Sequence, residues 1–196
     1  MIRFYFDFIS PYAYLAWTQL PRICSEAGAK LEARPILLGG VFQATGNHSP
    51  ADIKPKGPYM NADLRRFAKR YGVPFKHNPN FPINTLLLMR GATGLQMQQP
   101  ERFADYVKAM YDAVWVDGRN MNDPATVGSV LQAAGFDPAA VLALANAQDT
   151  KDRLKAITTE AVERGVFGAP TMFVGGEMFW GQDRLNFVKE QLTERT

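Results

Sequence analysis

The sequence predicts an α/β protein in which a small domain of strands and helices is interrupted by a block of helices. Three observations carry this reading. Residues 2–9 form a nearly unbroken apolar and aromatic run, the pattern of a strand covered on both faces, and Ser10-Pro11 ends it. Residues 171–181 hold two short apolar runs around Gly175-Gly176, a hairpin with a two-residue turn. Between residues 39 and 148 no segment reads as a strand, while helical periodicity recurs.

The elements follow in order. Ser10 is a good helix cap, and Pro11 suits the first helical position because its missing N–H was an orphan there anyway. Tyr12, Leu15 and Leu20 then give the helical period, so residues 11–27 are the first helix, stopped by Gly28. Residues 31–38 read as a second strand. A strand, a helix and a strand make a parallel βαβ pair. Residues 39–62, with five glycines and prolines from Gly46 to Pro58, read as a structured loop or lid. An amphipathic helix over 61–71 ends at Gly72, and a proline-rich loop spans 73–83. Helices follow at about 84–97, 100–115, 123–134 and 137–147, the last two announced by Asp123-Pro124 and Asp137-Pro138. A further helix covers 149–165. After the hairpin, 182–192 is the last helix. The expected division is 1–38 with 149–196 as one domain and 39–148 as an inserted helical domain.

Composition narrows the function. A chain of 196 residues that is 46% hydrophobic buries a real core. The net charge of +3 is spread along the chain, without the basic cluster a nucleic-acid partner needs. No run of about 18 apolar residues suggests a membrane span. Arg3 and Asp7 interrupt the N-terminal apolar run, so no secretion signal is expected there, and a cytoplasmic location is the default. Cys24 is the single cysteine, which leaves no intrachain disulfide and no Cys-rich metal site. His48 and His77 sit in loops with no metal-ligand spacing, and no metal is expected.

Ser10 is the position of chemical interest. Its hydroxyl lies at a strand-to-helix turn, at the positive end of a helix, where an anion is favoured. The same residue also serves simply as a helix cap, and local sequence leaves both roles open.

Three strings extend the reading: Phe6-Asp-Phe-Ile-Ser-Pro-Tyr-Ala-Tyr-Leu, Val166-Phe-Gly-Ala-Pro-Thr-Met-Phe-Val and Trp180-Gly-Gln-Asp-Arg-Leu. Together with the element order they resemble the 2-hydroxychromene-2-carboxylate isomerases. That family is a branch of the thioredoxin-like proteins with a helical insertion, close to the disulfide oxidoreductases and the kappa-class glutathione transferases. The resemblance covers the whole chain and implies a thioredoxin-like domain with a helical-domain insertion. It implies a cis bond before Pro170, with the backbone N–H and C=O of Ala169 free to pair with the cysteinyl part of glutathione. Where redox relatives have Cys-x-x-Cys, this chain has Ser10-Pro-Tyr-Ala13, so thiol–disulfide exchange at the turn is excluded. The family instead borrows its thiolate from glutathione, and Ser10 would stabilise it by a hydrogen bond beside the helix dipole.

The resemblance further implies that Gln182 and Asp183 receive the γ-glutamyl end of glutathione. It makes Asn47, Lys54, Lys56 and Asn84 candidates for the other side of the pocket, and Arg184 a structural partner of a carboxylate inside the domain. Trp115 is either a wall near an aromatic substrate or a core residue, and Cys24 a buried thiol. The implied reaction is isomerisation of an aromatic 2-oxo acid or its cyclic hemiketal by transient thiolate addition, bond rotation and release. A homodimer is implied as well. Known isomerases carry a lysine near the start of the first loop, where this chain has Val41-Phe42-Gln43. A kappa-like transferase and a cysteine-less binding protein on the same scaffold are the alternatives.

Overall fold

The computed structural model describes residues 1–194; the last two positions of the expected C-terminal segment lie outside the described residues. The strands are β1 (Ile2–Phe6), β2 (Leu31–Pro35), β3 (Thr171–Val174) and β4 (Glu177–Trp180). The helices are α1 (Pro11–Glu26), α2 (Leu38–Thr45), α3 (Lys56–Tyr71), α4 (Leu86–Gln98), α5 (Phe103–Trp115), α6 (Pro124–Ala133), α7 (Pro138–Asn146), α8 (Gln148–Glu163) and α9 (Leu185–Thr193). The sheet order is β2-β1-β3-β4. β1 pairs β2 in parallel, Phe4 opposite Ala33, and β3 antiparallel, Phe4 opposite Met172. β3 and β4 form the hairpin around Gly175 and Gly176, whose φ values of 57° and 99° are the left-handed ones such a turn requires.

Both faces of β1 are covered, as its sequence demands. Phe4 and Phe6 join Phe8, Tyr106, Met110 and Tyr111 in one cluster, so the sheet and the helical segment share a core. Tyr5 points the other way, into a second cluster with Val41 of α2 and Ile157 and Ala161 of α8. Burying each of these large apolar side chains contributes about 1.5–3 kcal/mol. Gly91 on α4 is part of this packing: a Cβ there would collide with the Tyr106 hydroxyl, which donates to the Leu88 carbonyl at 2.9 Å. Gly91→Ala is therefore expected to destabilise the protein by about 1–3 kcal/mol, read as a shift in the denaturation midpoint.

The expected loop over 39–62 is corrected. Residues 38–45 are helical, a 3-10 turn covers Pro50–Asp52, and α3 starts at Lys56, earlier than its apolar period suggests. Glycine is a poor helix former, yet Gly39 and Gly40 are held in α2 by tertiary contacts. The Thr158 hydroxyl on α8 accepts from Leu37 N–H at 3.0 Å, and the Asp7 carboxylate accepts from Leu38 N–H at 2.8 Å. Pro58 is tolerated because it stands in the first turn of α3, where no N–H is needed. β1 and β2 stop at Phe6 and Pro35, short of the expected 9 and 38, because the chain turns at Asp7 and at Leu37 into helix starts. Among the described residues no single helix is long and apolar enough to cross a membrane.

Candidate active site

The site is assembled where three chain turns meet. β1 delivers Asp7, and the chain folds back so that Ser10 N–H donates to the Asp7 carbonyl at 3.1 Å. Ser10 then caps α1 in an extended conformation, its hydroxyl oxygen accepting from Ala13 N–H at 3.1 Å. The same hydroxyl donates to the Ala169 carbonyl at 2.9 Å. The Ala169–Pro170 bond is cis, as is Phe81–Pro82, which nothing in the sequence suggested. The Pro170 carbonyl accepts from Gly181 N–H at 3.0 Å, which brings Gln182 and Asp183 up beside it. Gln182 is buried, and its carbonyl accepts from the Tyr71 hydroxyl at the end of α3 at 2.9 Å. Asn47 reaches the segment before β3, its amide donating to the Phe167 carbonyl at 2.8 Å. Ser10 is thus hydrogen-bonded directly to Ala169, while Gly181 joins Pro170 to the segment of Gln182 and Asp183, and Phe167 joins Asn47 to the segment before Ala169.

Three expectations change in detail. The Ala169 carbonyl is not free: the Ser10 hydroxyl occupies it. Arg184 pairs with its neighbour Asp183 at 2.7 Å on the surface, not with a carboxylate inside the domain. Asn84 is exposed and stands one residue before Thr85, the cap of α4, its side chain accepting from Leu86 N–H at 3.1 Å and its N–H donating to the Asn122 side chain at 2.8 Å. Lys54 and Lys56 are exposed, and no hydrogen bond or ion pair joins either to Ser10. Trp115 is a core residue, 1% exposed, whose indole N–H donates to the Phe8 carbonyl at 2.8 Å, two residues before Ser10. His48 and His77 are exposed, and Cys24 is buried, with burial pushing its thiol pKa up.

Electrostatics around the turn are set by burial. Tyr12, in the first turn of α1, is pushed up to about 12 by burial and then by Asp63, Tyr59 and Asp183. Tyr71 is likewise pushed up to about 12 by burial and by Asp183. Both phenols therefore stay neutral donors at physiological pH. The first turn of α1 holds no acidic residue, so its positive end is uncompensated. The Tyr12 and Ala169 N–H groups make no hydrogen bond among the described residues. An open N–H at a helix start, a buried hydroxyl and an open N–H beside an extended strand suit an anionic sulfur on a peptide-like ligand. In chemical terms glutathione fits this donor set.

Sequence reasoning missed Asp7. It is 1% exposed and accepts from Ile9 N–H at 3.1 Å, Leu38 N–H at 2.8 Å and the Thr85 hydroxyl at 2.6 Å. One carboxylate thus receives donors just before α1, at the first residue of α2 and at the cap of α4. Burial nonetheless raises its pKa above the ordinary carboxylate value. The signal was present: an acidic residue inside an apolar strand run is costly unless something pairs with it.

Comparison with known proteins settles the family. The DsbA-like thioredoxin domain matches residues 1–193. A 2-hydroxychromene-2-carboxylate isomerase from Sphingobium xenophagum is 34% identical over 195 residues, covering 98% of both chains. The chain belongs to the DsbA-like thioredoxin family, in the branch of the 2-hydroxychromene-2-carboxylate isomerases. A solved structure of such an isomerase superposes with a TM-score of 0.87 at 33% identity, covering 98% of this chain and 94% of that one. The kappa 1 glutathione S-transferase of Rattus norvegicus is 28% identical over all of this chain and 92% of its own length. The Ser10-Pro-Tyr-Ala13 turn at the start of α1 holds no sulfur.

Proposed function

We propose that the chain is a glutathione-dependent isomerase that converts 2-hydroxychromene-2-carboxylate to trans-o-hydroxybenzylidenepyruvate or acts on a closely related aromatic 2-oxo acid. The observation that carries this reading is the turn itself: no thiol, but a buried hydroxyl and an open Tyr12 N–H at the positive end of α1. Isomerase relatives at 34% identity over nearly the full length support the reaction class. Glutathione, when bound, supplies the thiolate nucleophile and is regenerated, so the net change is an isomerisation. The chain's own residues prepare that sulfur. Ser10 swings its hydroxyl from the Ala169 carbonyl to the thiolate and, with the helix dipole, holds it deprotonated near neutral pH. The released Ala169 carbonyl and the Ala169 N–H then pair with the ligand backbone in strand fashion. Gln182 and Asp183 face the γ-glutamyl end, with Asp183 exchanging Arg184 for the ligand ammonium. Asn47 and Lys56 face the opposite carboxylate.

The test is calorimetric titration with reduced glutathione, with ultraviolet detection of thiolate, beside an isomerisation assay with and without the thiol. Binding with a thiolate signal and turnover only when glutathione is present are the expected results. S-methylglutathione should bind without supporting turnover. No binding at millimolar glutathione would overturn the reading. A kappa-type transferase is the second reading, favoured by the kappa relatives and by the absence of a lysine at Val41-Phe42-Gln43. Retention of the sulfur in the product of an electrophilic chloroarene, without isomerisation of the hemiketal, would select it.

A further inference from the structure

We propose that Trp180 and Phe167 form an aromatic platform that stacks the planar ring of the substrate and selects aromatic over aliphatic 2-oxo acids. This rests on the isomerase reading above. Trp180 ends the edge strand β4 and is 49% exposed, whereas Trp115 is buried and Trp17 half-buried. Its ring packs against Phe167 with centroids 5.0 Å apart and planes inclined by 54°. Gly168 makes this possible: a Cβ there would stand 2.7 Å from the indole nitrogen, so a larger residue would push the indole away.

The platform residues adjoin, along the chain, the backbone that meets Ser10. Trp180 directly precedes Gly181, which bonds the Pro170 carbonyl at 3.0 Å. Phe167 lies two residues before Ala169, whose carbonyl receives the Ser10 hydroxyl. The Phe167 carbonyl in turn holds Asn47. Two aromatic side chains, packed on each other, are therefore carried by the same backbone that bonds Ser10, Pro170 and Asn47. A half-exposed indole adds little to the core, but it offers a flat, polarisable surface for another ring.

The experiment uses the full-length protein and the variants Trp180→Ala and Trp180→Phe. Acrylamide quenching of tryptophan emission is measured in the wild type, without glutathione, with and without benzylidenepyruvate, a ring acid that lacks the hydroxyl needed for ring closure and finds no thiolate to add to it. The ring acid should shield the exposed tryptophan component, and that component should be missing from both variants. Stacking of this kind predicts a KM for the hemiketal raised about three- to tenfold in Trp180→Ala, and largely restored in Trp180→Phe. The glutathione affinity and kcat should stay within about twofold of wild type, as a contact made equally in ground and transition states implies. Unchanged quenching with the ring acid, or an unchanged KM in Trp180→Ala, would overturn the platform. Failure of the wild type to bind glutathione or turn over the hemiketal is a separate result: it removes the isomerase reading, while the quenching arm still reports on the platform.

Discussion

Ser10→Ala is expected to lower kcat about a hundredfold while leaving a folded protein. A hydrogen bond to a charged group contributes about 1.5–3 kcal/mol, which corresponds to a factor of about 10–150 in rate when that charge is the nucleophile. The loss should show a particular pH signature. Without the hydroxyl the bound thiol has a higher pKa, so the rising limb of the pH–rate profile moves to higher pH. The same substitution removes the side-chain cap on Ala13 N–H, costing about 1 kcal/mol of stability. For a chain of this size that lowers the melting temperature by about 2–4 °C. Ser10→Thr keeps a hydroxyl and separates the two effects, retaining the cap and part of the rate. An Ala variant with wild-type kcat and an unmoved pH limb would show that Ser10 is only a cap.

Asp7→Ala should produce the largest loss of stability, about 3–5 kcal/mol, seen as a melting temperature lower by about 10 °C. Three donors converge on this carboxylate, and removing it strands the N–H groups of Ile9 and Leu38 in the interior. Asp7→Asn keeps one acceptor oxygen and should cost less. Asp7 also carries a pH dependence of definite sign. Its folded pKa lies above the unfolded value, raised first by burial and only partly offset by its hydrogen bonds. The folded state therefore binds the proton more tightly, and this group's contribution to stability is fully present below the unfolded pKa. It is lost as pH rises through the folded pKa. Tyr111 is the titratable neighbour; its hydroxyl is buried without a partner, and burial and Asp7 hold it protonated. Denaturant melts across the acidic range should show wild-type stability falling with rising pH relative to Asp7→Asn. Parallel profiles for the two proteins would refute the assignment.

Much of the fold was legible because its signals are local. The apolar run of β1, the Ser10-Pro11, Asp123-Pro124 and Asp137-Pro138 starts, and the Gly175-Gly176 turn each depend on a few adjacent residues. In the structure Asp123 and Asp137 do accept from the first-turn N–H groups of α6 and α7. α2 was not legible, because Gly39-Gly40 argues against a helix and only contacts to α8 and Asp7 hold it there. The bond from Asn84 N–H to the Asn122 side chain, 38 residues away, left no mark in adjacent positions.

By itself the sequence determined the α/β class, the order of the strands, the helix cap at Ser10 and the absence of a sulfur at the turn. The tertiary structure alone decided which groups meet that hydroxyl: the Ala169 carbonyl 159 residues away, the Asn47 amide anchored on Phe167, and Tyr71 holding Gln182. It also decided that Asp7 is the common acceptor for three helix starts. Capping and turn preferences act over a few residues and leave their mark in adjacent positions. Pairing of buried polar groups acts across the whole chain, and its partners are known only once the core has closed.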